Sequence, residues 1–449
     1  MTRRAAPDSL SVNAGSNGFV GCIRVPGDKS VSHRTLLLGC LAEGDSHIEG
    51  FLPSNDCLAT LGCVRAMGIE IDTFGAETPT SLVIRGRGLN GLRQPKGPLN
   101  CVRSGTTMRL LSGILAGQPF ATVLTGEPQL LRRPMGRIVE PLRAMGAGIT
   151  SVEDHAPLTI NGARLHGTEH DLPVASAQVK SAILLAALYA DSPTTVHQPG
   201  PARDHTELML RSMGAALEID GLSVSLTPPV ARLEPLDVVV PGDTSSAAFP
   251  LIAGLLMPGS EVTVESVGTN QTRTGLFDVL RAMGADLVVR GEHHRGGEPV
   301  GNVTARSSAL HAAEVEGNTV VRMIDEFPLL AVAATQARGA TVVRDAAELR
   351  IKETDRIAVM ASELRKMGAR IEPCPDGFIV VGPTALRAAR VDGQGDHRIA
   401  MALVVAGLLA QGETVVRNTD CIRDSFPGFA ETMRRLGARI WPGDGDGNP

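Results

Sequence analysis

One short pattern occurs six times along the chain, and this repetition constrains the fold more than any other feature. The pattern is Arg-x-Met-Gly or Arg-x-Leu-Gly followed by an apolar segment, and its copies begin at Arg65, Arg143, Arg211, Arg281, Arg365 and Arg434. Successive copies lie about 70 to 85 residues apart. So many copies at similar spacing indicate a repeat architecture rather than a chance recurrence.

Each copy has the same surroundings. An apolar helix with small polar residues at its start lies upstream, and a β-branched strand such as "EVTVESV" or "ETVVRN" follows it. A second helix ends at Met-Gly or Leu-Gly, where the glycine suits a left-handed C-cap, and a strand starts at once. One unit therefore reads as strand–helix–strand–helix–strand. Because the first helix is apolar on nearly every face, we expect it to be buried on all sides, which inverts the usual α/β barrel.

The length of 449 residues suits two or more domains. Six units could form one ring or two groups of three. The stretch "EPLDVVVPGDTSS" at 234–246 falls between the third and fourth units, so we place the boundary near 240. We predict one lobe over 29–240 and a second over 1–28 plus 241–449, each with three units.

Composition excludes several classes of function. The net charge of −5 and the 3% of aromatic residues argue against nucleic-acid binding. No apolar run reaches the roughly 18–20 residues that cross a bilayer, and the first ten residues lack the apolar stretch of a secretory signal. The 7 cysteines have no zinc-type spacing, which predicts buried free thiols in a reducing cytosol and a cytoplasmic protein.

The starts of the six apolar helices carry the candidate functional residues. A helix N-terminus exposes unpaired N–H groups and a partial positive charge, so it favours anions. If pseudo-symmetry aims all six starts into one interdomain cleft, that cleft traps anions; plain capping is the alternative, and it stays open above all for "DTSS". The residues at these starts are Lys29, Ser30 and Arg34; Ser104, Thr106 and Thr107; Ser176 and Gln178; Asp243, Ser245 and Ser246; Asp325 and Glu326; His397 and Arg398.

Two further stretches concentrate charge. In "ELRIKETDRIA", Lys352 and Arg356 share one face if the stretch is helical, although a solvated charged helix is the usual interpretation. In "LLRRPMGR", Arg133 lies beside a proline that suits a first helical turn. Asp325 precedes an apolar helix, and a carboxylate that enters a core needs a partner or a task, unless it only caps. The histidines other than His397 lie mostly in loop-like stretches and receive no role.

Several catalytic signatures are absent from the sequence. There is no Walker A sequence, no strand–Gly-x-Gly-x-x-Gly–helix fingerprint, no Gly-x-Ser-x-Gly elbow and no His-Glu-x-x-His. Nucleotide-driven phosphoryl transfer and dinucleotide chemistry are therefore disfavoured.

Across 20–441 the chain resembles the 5-enolpyruvylshikimate-3-phosphate synthase family. The resemblance rests on motifs in the family's order: "PGDKSVSHR", "SGTTMR", "LTGEPQLLRRPMG", "ASAQVKSA", "RDHTE", "PGDTSSAAFP", "IDEFPLLAVAA", "RIKETDR" and "DHRIAMA". It implies a two-lobed inverted α/β barrel of six βαβαββ units, three per lobe. It also implies transfer of the enolpyruvyl group of phosphoenolpyruvate to the 5-hydroxyl of shikimate 3-phosphate, with release of phosphate.

The resemblance assigns residues to both substrates. Those matching the shikimate 3-phosphate site are Lys29, Ser30, Arg34, Ser176, Ala177, Gln178, Arg203, Asp325 and Lys352. Those matching the phosphoenolpyruvate site are Lys29, Gly105, Arg133, Gln178, Arg356 and Arg398. Asp325 is implied as the base for the hydroxyl and Glu353 as the proton donor at carbon, with Lys29 and His397 assisting. The family reaction needs no metal and no cofactor, and we expect a monomer.

Some positions depart from the commonest members of the family. Arg103, Leu110, Ala177 and Glu348 replace the usual Asn, Pro, Ser and Asn, and Asp424 occupies the place of a lysine on the phosphoenolpyruvate side, where neighbouring Arg423 could substitute. Ala177 and Leu110 are similar to the family's second sub-type, which includes glyphosate-tolerant members. Gly105 is usual in sensitive members, so glyphosate is a candidate inhibitor whose effect the sequence leaves open.

Two other functions would account for part of these features. The sister enolpyruvyl transferase acting on UDP-N-acetylglucosamine shares the fold and chemistry, but it characteristically has Lys-Asn at the first helix start and a cysteine in the second-unit loop. This chain has Lys29-Ser30, and its 126–133 segment contains no cysteine. The other rival is a repeat protein that binds anions without turnover, in which Asp325 and Glu353 would not face the ligand.

Overall fold

The structure is a computed structural model that describes residues 8–14, 18–75 and 78–443. The chain divides into two compact units. The first, called the inserted unit here, comprises Gly27–Pro241 with His294–Glu298; the second, the host unit, comprises Met1–Pro26, Gly242–His293 and Pro299–Pro449. The sequence does not predict that the short segment 294–298 groups with the inserted unit.

The helices alternate between buried and amphipathic ones, as the repeats predict. The six first helices of the repeats are α1, α3, α6, α8, α11 and α13, and nearly all of their residues are buried. In chain order, the helices are α1 Lys29–Gly39, α2 Asn55–Ala66, α3 Gly105–Ala116, α4 Pro128–Leu131, α5 Gly136–Ala144, α6 Ala177–Ala187, α7 His205–Ser212, α8 Thr244–Leu256, α9 Gly275–Ala282, α10 Asn318–Arg322, α11 Phe327–Gln336, α12 Arg356–Lys366, α13 His397–Leu409 and α14 Phe429–Arg435.

Over the described residues, the strands form six four-stranded sheets, one per repeat. In chain order, the strands are β1 Ser9–Asn13, β2 Val20–Ile23, β3 Glu43–Glu49, β4 Ile71–Phe74, β5 Ser81–Arg87, β6 Leu99–Asn100, β7 Ala121–Thr125, β8 Gly148–Val152, β9 His155–Asn161, β10 Glu169–Asp171, β11 Thr194–His197, β12 Leu217–Asp220, β13 Ser223–Leu226, β14 Asp237–Val239, β15 Glu261–Gly268, β16 Asp286–Arg295, β17 Glu298–Arg306, β18 Glu314–Val315, β19 Gly339–Val343, β20 Arg370–Cys374, β21 Gly377–Gly382, β22 Arg390–Asp392, β23 Glu413–Arg417 and β24 Arg439–Pro442.

The sheets share one topology, exemplified by the order β6-β7-β9-β8. A parallel pair brackets the buried helix, as in β6 and β7 around α3, and two antiparallel pairings complete the sheet. Each repeat is thus a βαβαββ unit, in which the parallel crossover carries the buried helix. Most of the buried helices begin shortly after a strand ends, whereas α10 lies between β18 and α11.

Three strands complete repeats that are distant in sequence. β2 precedes α1 in the chain but pairs in parallel with β15 of the host unit. β14 precedes α8 but pairs in parallel with β3 of the inserted unit. β1 closes the last sheet by pairing with β23 and β24. Each of these strands therefore pairs within the unit to which it belongs, and the repeats of α1 and α8 take their first strands from distant parts of the chain.

The first and last residues of the repeated Arg-x-Met-Gly pattern, the arginine and the glycine, each have a structural role. The glycines have φ of 86°, 100°, 87°, 92°, 88° and 103° at 68, 146, 214, 284, 368 and 437, which confirms the predicted left-handed C-caps. In the first copy the arginine donates to the Ile71 carbonyl oxygen at 2.6 Å, in the strand that follows. Four other copies repeat this hydrogen bond with the residue six positions on. The motif thus ends a helix and fixes the next strand against it.

Each unit has its own hydrophobic core. One cluster gathers the apolar residues of α8, α11 and α13, and the other those of α1, α3 and α6. Within the described part of the chain, no helix has the length and apolarity to cross a membrane. The expectation that the cysteines are buried is wrong for two of them, because Cys22 is exposed and Cys374 is half-buried.

Candidate active site

The start of α1 brings the first predicted cations of the inserted unit together. Asp28 caps the helix by accepting the Val31 N–H at 2.9 Å. Lys29 lies in the first turn, and its Nζ is 3.1 Å from Asp56 Oδ2, with both side chains largely buried. Ser30 follows, half-buried. The lysine is therefore held in place by a carboxylate that the sequence analysis did not identify.

Arg34 is buried one turn further along α1. Its Nε donates to Thr206 Oγ1 and its Nη2 to Ser181 Oγ, both at 2.7 Å, and its Nη1 donates to the Ser30 carbonyl at 3.0 Å. Burial lowers the pKa of Arg34 to about 10, against the raising effect of Glu207. The group stays a cation near neutral pH, and its partners are hydroxyls and a carbonyl rather than carboxylates.

At the start of α3, two guanidinium groups approach a glycine. Ser104 caps the helix by accepting the Thr107 N–H at 3.1 Å. A Cβ at Gly105 would lie 2.9 Å from Arg109 Nη1 and 3.0 Å from Arg133 Nη1, so the ends of both arginine side chains would have to shift. Arg133 is half-buried. Glycine at this position leaves the space that both guanidinium groups occupy.

Gln178 links the starts of α3 and α6. Its Nε2 donates to Thr106 Oγ1 at 2.9 Å, and its Oε1 accepts from Arg109 Nη1 at 2.6 Å. Ser176 caps α6 through the Val179 N–H, and Ala177 is half-buried beside it. The structure thus gathers the predicted residues of α1, α3 and α6 within the inserted unit.

Arg203 lies in the loop before α7, and a buried ion pair supports that loop. Lys180 Nζ is 2.5 Å from Glu207 Oε1, and both side chains are only 1% exposed. The same Nζ donates to the Ala202 carbonyl at 3.3 Å. Arg203 itself is half-buried, directly after that carbonyl. Lys180 and Glu207 therefore fix the backbone from which Arg203 extends.

In the host unit, Arg356 gathers three carboxylates around one guanidinium group. Its Nε lies 2.8 Å from Asp396 Oδ2, its Nη1 3.2 Å from Asp325 Oδ1 and its Nη2 2.6 Å from Glu353 Oε2. Only 2% of the Arg356 side chain is exposed. Burial opposes its charge, but the three carboxylates outweigh burial and raise its pKa. The two carboxylates assigned to acid–base chemistry therefore share one cation.

Lys352 and Arg356 do not lie on one helix. A 3-10 helix spans Ala347–Ile351, Lys352 ends it, and α12 begins only at Arg356, where Asp355 caps it through the Ala358 N–H at 3.0 Å. The predicted shared helical face is therefore wrong, because a break separates the two residues. Lys352 is half-buried, and burial lowers its pKa despite the opposing effect of Asp325.

The starts of α11 and α13 meet around Asp325. Its Oδ2 is 3.9 Å from Arg398 Nη2, in addition to the contact with Arg356. Arg398 also lies 3.9 Å from Glu326, and His397 beside it is buried. The N-cap of α11 is Glu326, whose side chain makes no capping hydrogen bond. The alternative that Asp325 serves only as a cap is therefore not the arrangement found, since its carboxylate contacts two arginines.

At the start of α8, Asp243 caps the helix through the Ser245 and Ser246 N–H groups, at 2.7 and 3.1 Å. Arg273 Nη2 donates to Ser245 Oγ at 2.8 Å, and the Ser245 hydroxyl donates to Glu326. Capping, the interpretation left open for "DTSS", is thus present, together with a buried polar contact to the start of α11.

The positions that depart from the family pattern have defined surroundings. Arg103 Nε is 2.7 Å from Glu127 Oε2, so it is paired beside the start of α3. Asp424 is buried and Arg423 half-buried in a 3-10 helix at Asp420–Asp424. Glu348 is half-buried and Leu110 is buried. The idea that Arg423 replaces the missing lysine stays a prediction.

Sequence reasoning missed several residues that hold the predicted ones. They are Asp56, Arg109, Ser181, Thr206 and, as the anchor of Arg356, Asp396. All of these except Asp56 stood inside quoted motifs, so only Asp56 had no sequence signal. Within the described residues, no group of three or more His, Cys, Asp or Glu side chains could hold a metal ion.

The chain is similar in sequence to a known protein family. A family profile described as EPSP synthase (3-phosphoshikimate 1-carboxyvinyltransferase) matches residues 14–433. A curated 3-phosphoshikimate 1-carboxyvinyltransferase of Citrifermentans bemidjiense is 52% identical over 415 residues, covering 92% of this chain and 96% of that protein. One of Herpetosiphon aurantiacus is 50% identical over 413 residues, covering 91% and 95%.

A solved structure shares the fold over almost the whole chain. The EPSP synthase of Acinetobacter baumannii matches with a TM-score of 0.86 and 43% identity, covering 96% of this chain and 99% of that one. Together with the six repeats, three in each unit, this likeness confirms the predicted fold class.

Proposed function

The chain belongs to the EPSP synthase family, the 3-phosphoshikimate 1-carboxyvinyltransferases, and on that premise we propose how its residues bind and convert two substrates. The reaction transfers the enolpyruvyl group of phosphoenolpyruvate to the 5-hydroxyl of shikimate 3-phosphate and releases phosphate, a step of the shikimate pathway towards chorismate and the aromatic amino acids. Each substrate carries a phosphate and a carboxylate. The enzyme must therefore hold four anionic groups.

Shikimate 3-phosphate binds, in this proposal, mainly to the inserted unit. The residues proposed to contact it are Lys29, Ser30, Arg34, Ser176, Ala177, Gln178, Arg203, Asp325 and Lys352. The hydroxyl partners of Arg34 support this, because they fix its position without cancelling its charge. Cations at helix starts attract phosphate and carboxylate groups.

Phosphoenolpyruvate binds, in this proposal, to Lys29, Gly105, Arg133, Gln178, Arg356 and Arg398. The space above Gly105 supports this assignment, because it admits the Arg133 guanidinium against the first turn of α3. A small anion placed there would meet both helix N–H groups and a cation.

The observation that carries the acid–base assignment is the shared guanidinium of Arg356. Asp325 takes the proton of the 5-hydroxyl as that oxygen attacks C2 of phosphoenolpyruvate, and Glu353 gives a proton to C3. Phosphate then leaves C2, and C3 returns its proton, which restores the methylene group. Lys29 and His397 assist by charge or proton transfer.

This assignment places a requirement on Glu353. A guanidinium at 2.6 Å favours the ionised carboxylate, which has no proton to donate. Arg356 must therefore turn from Glu353 towards the incoming anion before Glu353 can act as an acid. We propose that phosphoenolpyruvate drives this exchange, because its carboxylate or phosphate competes for the same N–H groups.

Phosphate release tests the proposed function directly. We expect release only when shikimate 3-phosphate and phosphoenolpyruvate are both present, and none when UDP-N-acetylglucosamine replaces the former. Release with the UDP sugar would assign the chain to the sister transferase, and binding without release would make it a non-catalytic anion binder. The monomeric state, the cytoplasmic location and inhibition by glyphosate stay predictions.

A further inference from the structure

Four buried side chains of the inserted unit form one hydrogen-bonded chain that none of the assigned roles explains. His33 Nδ1 is 2.7 Å from Thr60 Oγ1, and Thr60 Oγ1 is 2.6 Å from Thr107 Oγ1. The Thr107 hydroxyl donates to Ser104 Oγ at 2.7 Å. No member is more than 1% exposed. The chain runs from α1 through α2 to the first turn and the N-cap of α3.

Counting hydrogens gives this chain a direction. A hydroxyl has one hydrogen, and Thr107 uses its own for Ser104, so it must accept from Thr60. Thr60 has then used its hydrogen and must accept from His33. His33 therefore carries its proton on Nδ1.

The other ring nitrogen leads to the same tautomer independently. His33 Nε2 is buried and has no hydrogen-bond partner in the described part of the chain. A buried N–H without an acceptor is rarer and costlier than an unused lone pair, so Nε2 is the unprotonated atom. Burial, with the charges of Lys29 and Arg34, lowers the pKa of His33 well below its usual value and keeps the ring neutral.

Two neighbouring residues of α1 thus anchor different parts of the unit. Arg34 is bonded to Ser181 on α6 and Thr206 on α7. His33 is bonded through Thr60 to the start of α3. The helix start reached by Arg34 belongs to the proposed shikimate 3-phosphate contacts, whereas the one reached by His33 carries Gly105, a proposed phosphoenolpyruvate contact.

We propose that His33 and Thr60 are positioning residues for phosphoenolpyruvate binding, which hold the first turn of α3 in register with the first turn of α1. This inference rests on the proposed function of the site. Neither residue touches substrate; they act through Ser104 and Thr107, whose backbone sets the direction of the α3 N–H groups. Removing the Thr60 hydroxyl leaves His33 Nδ1–H without its acceptor, and the α3 start loses its connection to α1.

The test is a split between the two Michaelis constants. Thr60→Val should raise KM for phosphoenolpyruvate roughly tenfold, the effect of about one lost buried hydrogen bond, and leave kcat and KM for shikimate 3-phosphate within about twofold. Thr60→Ser should restore the wild-type constant. The matched control is Thr194→Val, the same change at a buried residue of the same unit whose hydroxyl has no partner among the described residues. It should leave both constants unchanged.

An equal rise of both constants, or a Thr60→Ser enzyme no better than Thr60→Val, would overturn the proposal. A second measurement, which does not depend on turnover, tests the proposal even if a variant does not fold or the enzyme releases no phosphate. The imidazole nitrogen resonances of the wild-type protein, with the His33 signal identified by its loss in His33→Asn, should show a neutral ring protonated on Nδ1. A proton on Nε2 would refute the chain, whereas absent phosphate release with the Nδ1–H form present would refute only the proposed function.

Discussion

The two units repeat one architecture three times each, yet a buried arginine of each, Arg34 and Arg356, is held by different chemistry. In the inserted unit, Arg34 is bonded to two hydroxyls and a carbonyl. In the host unit, Arg356 is bonded to three carboxylates. Both guanidinium groups are buried near the start of a helix. The surroundings of the two guanidinium groups therefore differ in charge.

This difference indicates a division of labour. Hydroxyl partners position a cation and leave its charge available to an anionic ligand, as substrate binding needs. Carboxylate partners neutralise the cation and, in return, are held close together as potential bases and acids. The division has an exception in the inserted unit, where Lys29 is paired with Asp56. A second exception is Arg103, which is paired with Glu127. The difference thus concerns Arg34 and Arg356, and it predicts which variants affect binding and which affect turnover.

The largest expected effect separates turnover from binding. Asp325→Asn, in the host unit, removes the proposed base and should lower kcat by about 10²–10⁴-fold. Ser30→Ala, in the inserted unit, should instead raise KM for shikimate 3-phosphate about tenfold with a small change in kcat. Steady-state phosphate release measures both.

Asp278→Asn is the control for the loss of charge, because Asp278 is an exposed carboxylate of the same unit, paired with Arg322. It should behave as the wild type. An Asp325→Asn enzyme with wild-type kcat would remove Asp325 from the mechanism and the proposed division with it.

The second prediction compares the stability of two arginine variants. Arg356→Met leaves three carboxylates without their shared cation and should cost about 3–5 kcal/mol of unfolding free energy. Arg34→Met leaves hydroxyls and a carbonyl and should cost about 1–3 kcal/mol. Urea unfolding measures both losses.

Lowering the pH distinguishes the causes of the two losses of stability. In Arg356→Met, protonation of the crowded carboxylates relieves their repulsion, so the deficit relative to wild type should shrink as the pH falls. The Arg34→Met deficit should not shrink in this way. Equal losses with equal pH dependence would show that the two arginines have equivalent environments, against the comparison.

The repeat itself could be predicted from sequence because its signals are local. The glycine after each Met or Leu needs positive φ, and the structure has it in all six copies. The buried helices follow from continuous apolar runs, as in α13. Five of the six predicted starts carry a side-chain cap, at Asp28, Ser104, Ser176, Asp243 and Asp396.

The partners of the predicted residues could not be found in this way, because they depend on contacts between distant segments. Arg34 and Thr206 lie 172 residues apart in the chain. The pairing of β2 with β15 and of β14 with β3 could not be predicted either, since a strand's sequence does not specify which sheet it joins. His33 and His205, which received no role, lie buried in helices, where their burial rather than their neighbours in sequence decides their chemistry.

The smallest predicted effect is a loss of unfolding free energy at low pH that arises from His33 in the inserted unit. Because burial and the nearby Lys29 and Arg34 lower the pKa of His33 well below the ordinary value of 6.5, the unfolded chain binds this proton more readily than the folded one. The stability that the neutral ring provides is therefore present above about pH 6.5 and lost as the pH falls below it, by up to about 1.4 kcal/mol per pH unit.

His33→Asn keeps an N–H donor for Thr60 but cannot be protonated. Its unfolding free energy should therefore fall about 1 kcal/mol less than that of the wild type over the first pH unit below 6.5. The exposed His293 of the host unit provides the control, because His293→Asn should leave the wild-type pH dependence unchanged. If His33→Asn loses stability on acidification as steeply as the wild type, the acid sensitivity arises elsewhere, and the neutral ring next to two cations is not a stabilising feature of the inserted unit.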